Sequence, residues 1–382
     1  MKAVITGKYA DGKEFIKKIG HNKQKINLSN KNIKSIDLSN LALCTNIEMI
    51  DLSANQLEEI DLTPIVNTEL ETVILSENSL KSIDLSPLAQ CSNLEELILA
   101  GNELEEIDLS PLSQCTKLEE LSLFVNKIKK IDLTPLSQCK ELEALILAGN
   151  TIEEIDLKPL GNCEELEELD LESNKIKEID LSPLKKCKKL KVLKLGINEL
   201  ENIDLGPLKG NKELLFLDLG QNKLKNIDLT PLESCINLRW LDLGPNLIEN
   251  IDLSPLSKTE NLSELDLGPN KLTKIDLSPL SNLKNLEYVD LSSNLLEEID
   301  LTPLSSCTSL QELNLGANLL QNVDIYPLTF CRYIERVSLD DKYTLLFSGE
   351  KLEDTDNLPR KLKKALVRWE INEQRKGKLK AD

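Results

Sequence analysis

Aromatic side chains are scarce in this chain of 382 residues, at 3%, and there are only one histidine, two methionines and two tryptophans. An irregular globular core draws on large rings, so their scarcity points to a single aliphatic layer used many times over. One histidine, His21, cannot supply a histidine-based triad and removes most zinc sites. No run approaches the 18 apolar residues of a membrane-spanning helix, and the opening MKAVITGKYADGKEF lacks the apolar stretch of a signal peptide. Neither a membrane span nor export is therefore expected, and the cytoplasm is the expected location. Basic charge is also in deficit: 46 Lys and Arg against 65 Asp and Glu give a net charge of -19. Such a body repels nucleic acid and anionic membrane and suits cationic surfaces.

What the chain does contain is repetition. The tripeptide IDL, VDI in its last copy, places an aspartate at 37, 61, 84, 108, 132, 156, 180, 204, 228, 252, 276, 300 and 324, with a step of 24 residues apart from one of 23. An asparagine column runs at the same period from Asn55 to Asn318. One unit, read from Leu94, is LEELILAGNELEEIDLSPLSQCTK, or LxxLxLxxNxLxxIDLSPLxxCxx. A dozen copies at fixed period make a specific signal.

This pattern resembles the leucine-rich-repeat family over roughly residues 23 to 342. The resemblance implies an α/β fold: a right-handed solenoid, horseshoe or arc, with a parallel sheet on its concave side and short helical or 3₁₀ turns on its convex side. Family membership alone identifies no ligand. The expected division is an N-terminal cap over 1–25, a solenoid of about 13–14 coils over 26–342, and a C-terminal cap over 343–382 with a basic amphipathic helix and tail.

The physics of one coil leads to the same place. Alternation turns Leu97 and Leu99 inward from a short strand and leaves Glu96, Ile98 and Ala100 outward. Asn102 leaves the strand, and its amide is suited to backbone groups that the tight turn leaves unpaired. In Ser110-Pro111-Leu112 a hydroxyl residue at the cap precedes proline, so a short turn should follow with Leu112 and Cys115 on its inner side. Twelve of the fifteen prolines occupy this slot, beginning with Pro64.

Two columns invite metal chemistry, and both have a structural explanation. All nine cysteines lie seven residues after the repeat aspartate, where Thr68, Asn211, Thr259 and Leu283 also serve. With no CxxC, they are expected to form a buried ladder of thiols. The aspartates, stacked at about 4.8 Å, should repel by about 1 kcal/mol per neighbouring pair in water. Turn hydrogen bonds to each carboxylate offset this, so the column is expected to hold the Ser/Thr-Pro turn rather than calcium. No cofactor is expected.

The ends depart from the repeat. Gly7 to Glu14 nearly spells a phosphate loop, but Glu14 replaces the hydroxyl and no nucleotide domain follows. A short helix capped by Asp11, running through Phe15, Ile16 and Ile19 to Gly20, is expected to close the stack. Near the other end Leu358-Pro359-Arg360 should open a helix with Leu362, Ala365, Leu366 and Trp369 on one face. Residues 360 to 382 carry nine Lys and Arg against three Asp and Glu, with Arg375, Lys376, Lys378 and Lys380 in the tail.

The outward columns carry the functional information. Between Ile26 and Asn318 the only aromatics are Phe124, Phe216, Trp240 and Tyr288, all at outward positions. The aliphatic interior does not need them, and exposed rings on a rigid sheet are enriched at binding hot spots. The eight other aromatics fall in the terminal segments, where irregular caps must pack. An early zone is apolar, with Met49, Ile74, Ile98, Phe124, Val125, Ala144, Ile146 and Ala148, interrupted by Glu96 and Glu120. A later zone sets Phe216, Trp240, Glu264 and Tyr288 beside Asp218, Asp242, Asp266 and Asp290. Gly220, Gly244, Gly268 and Ser292 flank these acids and should leave them uncovered.

The expected function is a non-enzymatic interaction scaffold or regulatory subunit holding a partner protein on the concave sheet. Its later zone would take a segment bearing Arg or Lys, with rings against the methylenes and guanidinium and aspartates against the charge. No small-molecule substrate is expected. The alternatives are a peripheral tether that uses the basic C-terminal segment on membrane or nucleic acid, an activator of a GTPase or other enzyme, and an adhesin-like surface role.

Overall fold

The computed structural model describes residues 3–20, 22–66, 69–340, 342–348, 350–351, 360 and 362–364. The chain divides into two units, Met1–Lys194 and Leu195–Asp382.

In the first unit, strands Lys25–Asn27, Met49–Asp51, Thr72–Ile74, Glu96–Ile98, Glu120–Ser122, Ala144–Ile146, Glu168–Asp170 and Val192–Lys194 pair in parallel in chain order. Equivalent residues face one another, as in Glu96 beside Glu120, Leu97 beside Leu121 and Ile98 beside Ser122. In the second unit Phe216–Asp218, Trp240–Asp242, Glu264–Asp266, Tyr288–Asp290, Glu312–Asn314 and Arg336–Ser338 do the same. Strand Asn322–Asp324 pairs separately, in parallel with Thr344–Phe347, which turns back on Glu350–Lys351.

Each coil closes on the far side with a 3₁₀ turn such as Ser110–Gln114. Leu97, Leu99, Leu104, Leu109, Leu112, Cys115 and Leu118 all point into the coil and are at most 2% exposed. A fully buried leucine contributes about 1.5–3 kcal/mol, so a thin layer used repeatedly suffices without aromatics. All nine cysteines are buried free thiols, and burial alone pushes Cys91 up to about 11. Several donate to the preceding coil, as Cys115 Sγ does to the Leu88 carbonyl at 3.4 Å.

The asparagine column stitches coil to coil. Asn126 Nδ2 donates to the carbonyls of Leu99 and Leu123, both at 3.1 Å, while its Oδ1 accepts the Leu104 N–H at 3.1 Å. The aspartate column holds the turns: Asp108 Oδ1 accepts the Ser110 N–H at 2.8 Å and the Ser110 hydroxyl at 2.6 Å. These two bonds lower the Asp108 carboxyl below its usual range. The serine expected at the cap is thus the first residue of the turn, and the aspartate two positions earlier supplies the oxygen.

The N-terminal helix expected from Asp11 to Gly20 is instead a hairpin, Ala3–Tyr9 against Glu14–Ile19, with Tyr9 and Phe15 rings 5.0 Å apart. Asp11 does accept the Lys13 N–H, at 3.0 Å, but Gly12 at φ 86° turns the chain back on itself. Alternation of Ala3 and Ile5, both buried, is a period of two, and β-branched residues favour the strand. A phosphate loop needs a helix after the glycines, so none is formed. At the other end residues 360 and 362–364 are helical and Leu362 is buried. Leu358, Pro359, Ala365, Leu366, Trp369 and the basic tail lie outside the described residues. No helix among the described residues is long and apolar enough to cross a membrane.

Candidate functional site

The open face of the second unit is built by three short strand positions repeated coil after coil. Because the strands are in register, Phe216 stands beside Trp240, and Asp218 beside Asp242. The two rings meet edge to face, with centroids 5.9 Å apart and planes at 86°. Both are half-buried, since each covers part of the other, yet both project from the outward side of strands whose inner leucines, Leu217 and Leu241, are sealed. Glu264 separates Trp240 from Tyr288, so the expected row of rings is a pair plus a single tyrosine.

Tyr288 has a polar task as well. Its hydroxyl donates to Asp290 Oδ2 at 3.0 Å, and Asn314 Nδ2 donates to the same oxygen at 2.9 Å. That carboxylate, at 9% exposure, is already held from two sides.

The acids are not uncovered, and here the expectation is corrected. Each accepts the N–H two residues on: Gly220 to Asp218 at 2.8 Å, Gly244 to Asp242 at 2.9 Å, Gly268 to Asp266 at 2.9 Å and Ser292 to Asp290 at 2.7 Å. The glycines make room for the next coil's carboxylate, and Gly220 and Gly244 also for its backbone carbonyl, rather than exposing their own acids. A β-carbon on Gly220 would lie 2.8 Å from Asp242 Oδ1 and closer still to the Gly244 carbonyl oxygen. Burial, with Asp290 and Asp218 nearby, pushes Asp266 up to about 6 despite its bond from Gly268. The column therefore stores negative charge at a half-buried surface, where an incoming cation gains more than in open water.

In the first unit Ile98 and Ile146 are half-buried on the outward face, two strands apart with Ser122 between them. Phe124 lies just beyond its strand and is 47% exposed, and Val125 is 45% exposed. Glu96 and Glu120, expected only as interruptions of the apolar zone, form a carboxylate row within the strands, and a second row that sequence reasoning passed over, Glu71, Glu95, Glu119 and Glu143, lies just upstream. Their common period was the available signal. Burial and the flanking Glu95 and Glu143 raise Glu119, and burial with Glu96 and Glu168 raises Glu120. Three terminal aromatics assigned to cap packing are also outside: Tyr326, Phe330 and Tyr333 are exposed, although Tyr326 does meet the Phe330 and Phe347 rings. Among the described residues no group of three or more metal-ligating side chains converges.

A parallel ladder, inward leucines, an asparagine stitch and one short turn per coil recur together through both units. The family described as leucine rich repeat matches residues 68–128, 116–176, 164–224, 188–248 and 260–320, well over half of the sequence. The chain belongs to the leucine-rich-repeat family. This leucine-rich-repeat chain is similar to an internalin (inlF) from Listeria monocytogenes at 27% identity, covering 85% of this chain and 90% of that one with a TM-score of 0.70. It is similar to a leucine-rich-repeat protein of Leptospira interrogans at 26% identity, covering 85% and 86%, with a TM-score of 0.68. It is also similar to the ectodomain of the Arabidopsis receptor kinase HAESA in complex with an N-terminally extended IDA peptide hormone ligand, at 26% identity over 84% of this chain and 53% of that one, with a TM-score of 0.69. No curated protein sequence matches the chain. Each unit is thus a leucine-rich-repeat solenoid, a fold commonly used as a protein-interaction module.

Proposed function

We propose that this protein is a non-enzymatic, cytoplasmic scaffold or regulatory subunit that holds a basic segment of a partner protein on the open sheet face of its second unit. The observation that carries the reading is the Phe216–Trp240 ring pair, outward and edge to face, one residue removed from Asp218 and Asp242 on the same two strands. An arginine of the partner lies over the rings with its guanidinium toward the aspartates, joining ring-face attraction to charge-assisted hydrogen bonds. Tyr288 and Asp290 extend the surface two coils further. A preformed sheet loses little entropy on binding, so a short segment can be held without folding cost on the scaffold side. That a similar solenoid holds a peptide hormone supports a polypeptide ligand.

Affinity purification with cross-linking mass spectrometry tests this. Cross-links should map to the strands from Phe216 to Asp290, and a Phe216→Ala, Trp240→Ala, Tyr288→Ala variant should lose the partner. Equal recovery of the same partner by that variant and the wild type would remove the reading.

A further inference from the structure

We infer that the open face of the first unit is a second docking site, one that takes an amphipathic basic helix of a partner protein. Two observations separate it from the aromatic and acidic zone: an apolar strip exposed without benefit to the fold, and an uncompensated carboxylate border along one side of it.

Val125 makes the first point. It has φ 52°, in the left-handed region where a β-branched residue is strained, and it is 45% exposed. Coils on either side use Gly101 and Gly149 at that slot, and Gly149 leaves the space that Val125 fills, since a β-carbon there would lie 2.9 Å from Val125 Cγ2. Phe124 is 47% exposed where the neighbouring coils have Ala100 and Ala148. Neither side chain serves the coil interior. Ile98 and Ile146 continue the strip across the strands.

The second point comes from how the chain treats charges one coil apart. Elsewhere it pairs opposites at this spacing: Lys127 with Glu103 at 2.9 Å, Lys34 with Glu58 at 3.6 Å, and Lys191 with Glu167 at 2.5 Å. Along the border Glu95 faces Glu119 and Glu96 faces Glu120, and among the described residues no lysine or arginine nitrogen lies within 4.0 Å of these four. Repulsion and burial already raise Glu119 and Glu120. The missing cations are those of the occupant.

The dimensions select a helix. From Glu95 to Ile98 along the chain is about 10 Å at the rise of an extended strand, close to the diameter of an α-helix with its side chains. A helix lying across the strands from Ile74 to Ile146 spans three intervals of about 4.8 Å, and therefore about ten residues or three turns. Its apolar face rests on the strip, and lysines or arginines along one flank meet the glutamates.

The probe is a synthetic 18-residue helical peptide with leucines along one face and lysines along one flank, titrated by fluorescence anisotropy into the full chain. Its controls are the same composition scrambled and a version with glutamate for lysine. Wild type should bind the amphipathic basic peptide at least tenfold more tightly than either control, with affinity falling as salt rises. Phe124→Ala with Val125→Gly, and separately Glu95→Gln with Glu119→Gln and Glu120→Gln, should each weaken it tenfold or more. Phe216→Ala with Trp240→Ala should leave it unchanged, which keeps this site distinct from the other. Failure to prefer the basic amphipathic peptide, or wild-type affinity in either first-unit variant, overturns the inference.

Discussion

The carboxylate of Asp290 occupies the space that a β-carbon on Gly268 would need, with Oδ1 2.6 Å from that position. Glycine here serves packing, for Gly268 does not have the positive φ that would demand it. Gly268→Ala should therefore destabilise the protein by about 1–3 kcal/mol, the range for overpacking a filled site. Asp290→Ala in the same chain should recover part of that loss, giving a non-additive double-mutant cycle in urea denaturation. Strict additivity would show that the two residues do not compete for space.

Asn126 joins its own coil to the one before through two buried hydrogen bonds, to the Leu99 carbonyl and the Leu104 N–H, and makes a third within its own coil to the Leu123 carbonyl. Asn126→Ala strands the buried Leu104 N–H, at a cost of about 1–3 kcal/mol, while the Leu99 and Leu123 carbonyls each lose one of two amide donors and keep Asn102 Nδ2 and Asn150 Nδ2, both at 3.0 Å. The expected outcome is a fall in denaturation midpoint larger than that of Glu95→Gln, which leaves the backbone bonds between coils in place.

Val125→Gly relieves a left-handed β-branched residue, a relief of about 1–2 kcal/mol that the greater freedom of glycine in the unfolded chain partly cancels. A small rise in thermal stability, about 0.5 kcal/mol or more, should accompany the loss of peptide affinity. A residue that improves the fold when removed and weakens binding when removed is present for the partner.

Acid should act on the two aspartate columns in different ways. Asp108, Asp228 and Asp252 have carboxyls held below their usual range by the following hydroxyl residue, so their contribution to stability is present at neutral pH and is lost as pH falls through the folded value. Asp266 is pushed up to about 6, so it favours the folded state least when ionised, and a bound cation would lower its value again. Affinity for a basic segment should be full above about pH 6 and decline below it, and Asp266→Asn should flatten that decline. Calorimetric titration between pH 7.5 and 5 at constant salt, values chosen to bracket about 6, reads both effects.

Much of this was legible in the sequence because a period of 24 residues is also a register: residues at that spacing become neighbours, so columns could be read before any coordinates. Adjacency of Phe216 and Trp240, the structural task of Asn126, and the turn role of Asp108 all follow from it. What lay between coils was less visible. One repeat cannot show that the Asp242 carboxylate rests over Gly220, so those acids were expected to stand uncovered. Glu14–Ile19, the second strand of the hairpin, lies in a segment expected to be helical because Phe15, Ile16 and Ile19 fit both periods, and pairing with Ala3–Tyr9, itself paired with Ile33–Asp37, decides between them. Phe330 and Tyr333 were assigned to packing by position in the chain, whereas their turn faces solvent.

The most direct test of the account is the equilibrium affinity of the cross-linked partner, once purified, for wild type and for Phe216→Ala with Trp240→Ala. The account predicts at least a tenfold loss with an unchanged melting temperature, because the pair contributes to the surface and not to the coil interior. Unchanged affinity in a variant that melts like wild type would contradict it.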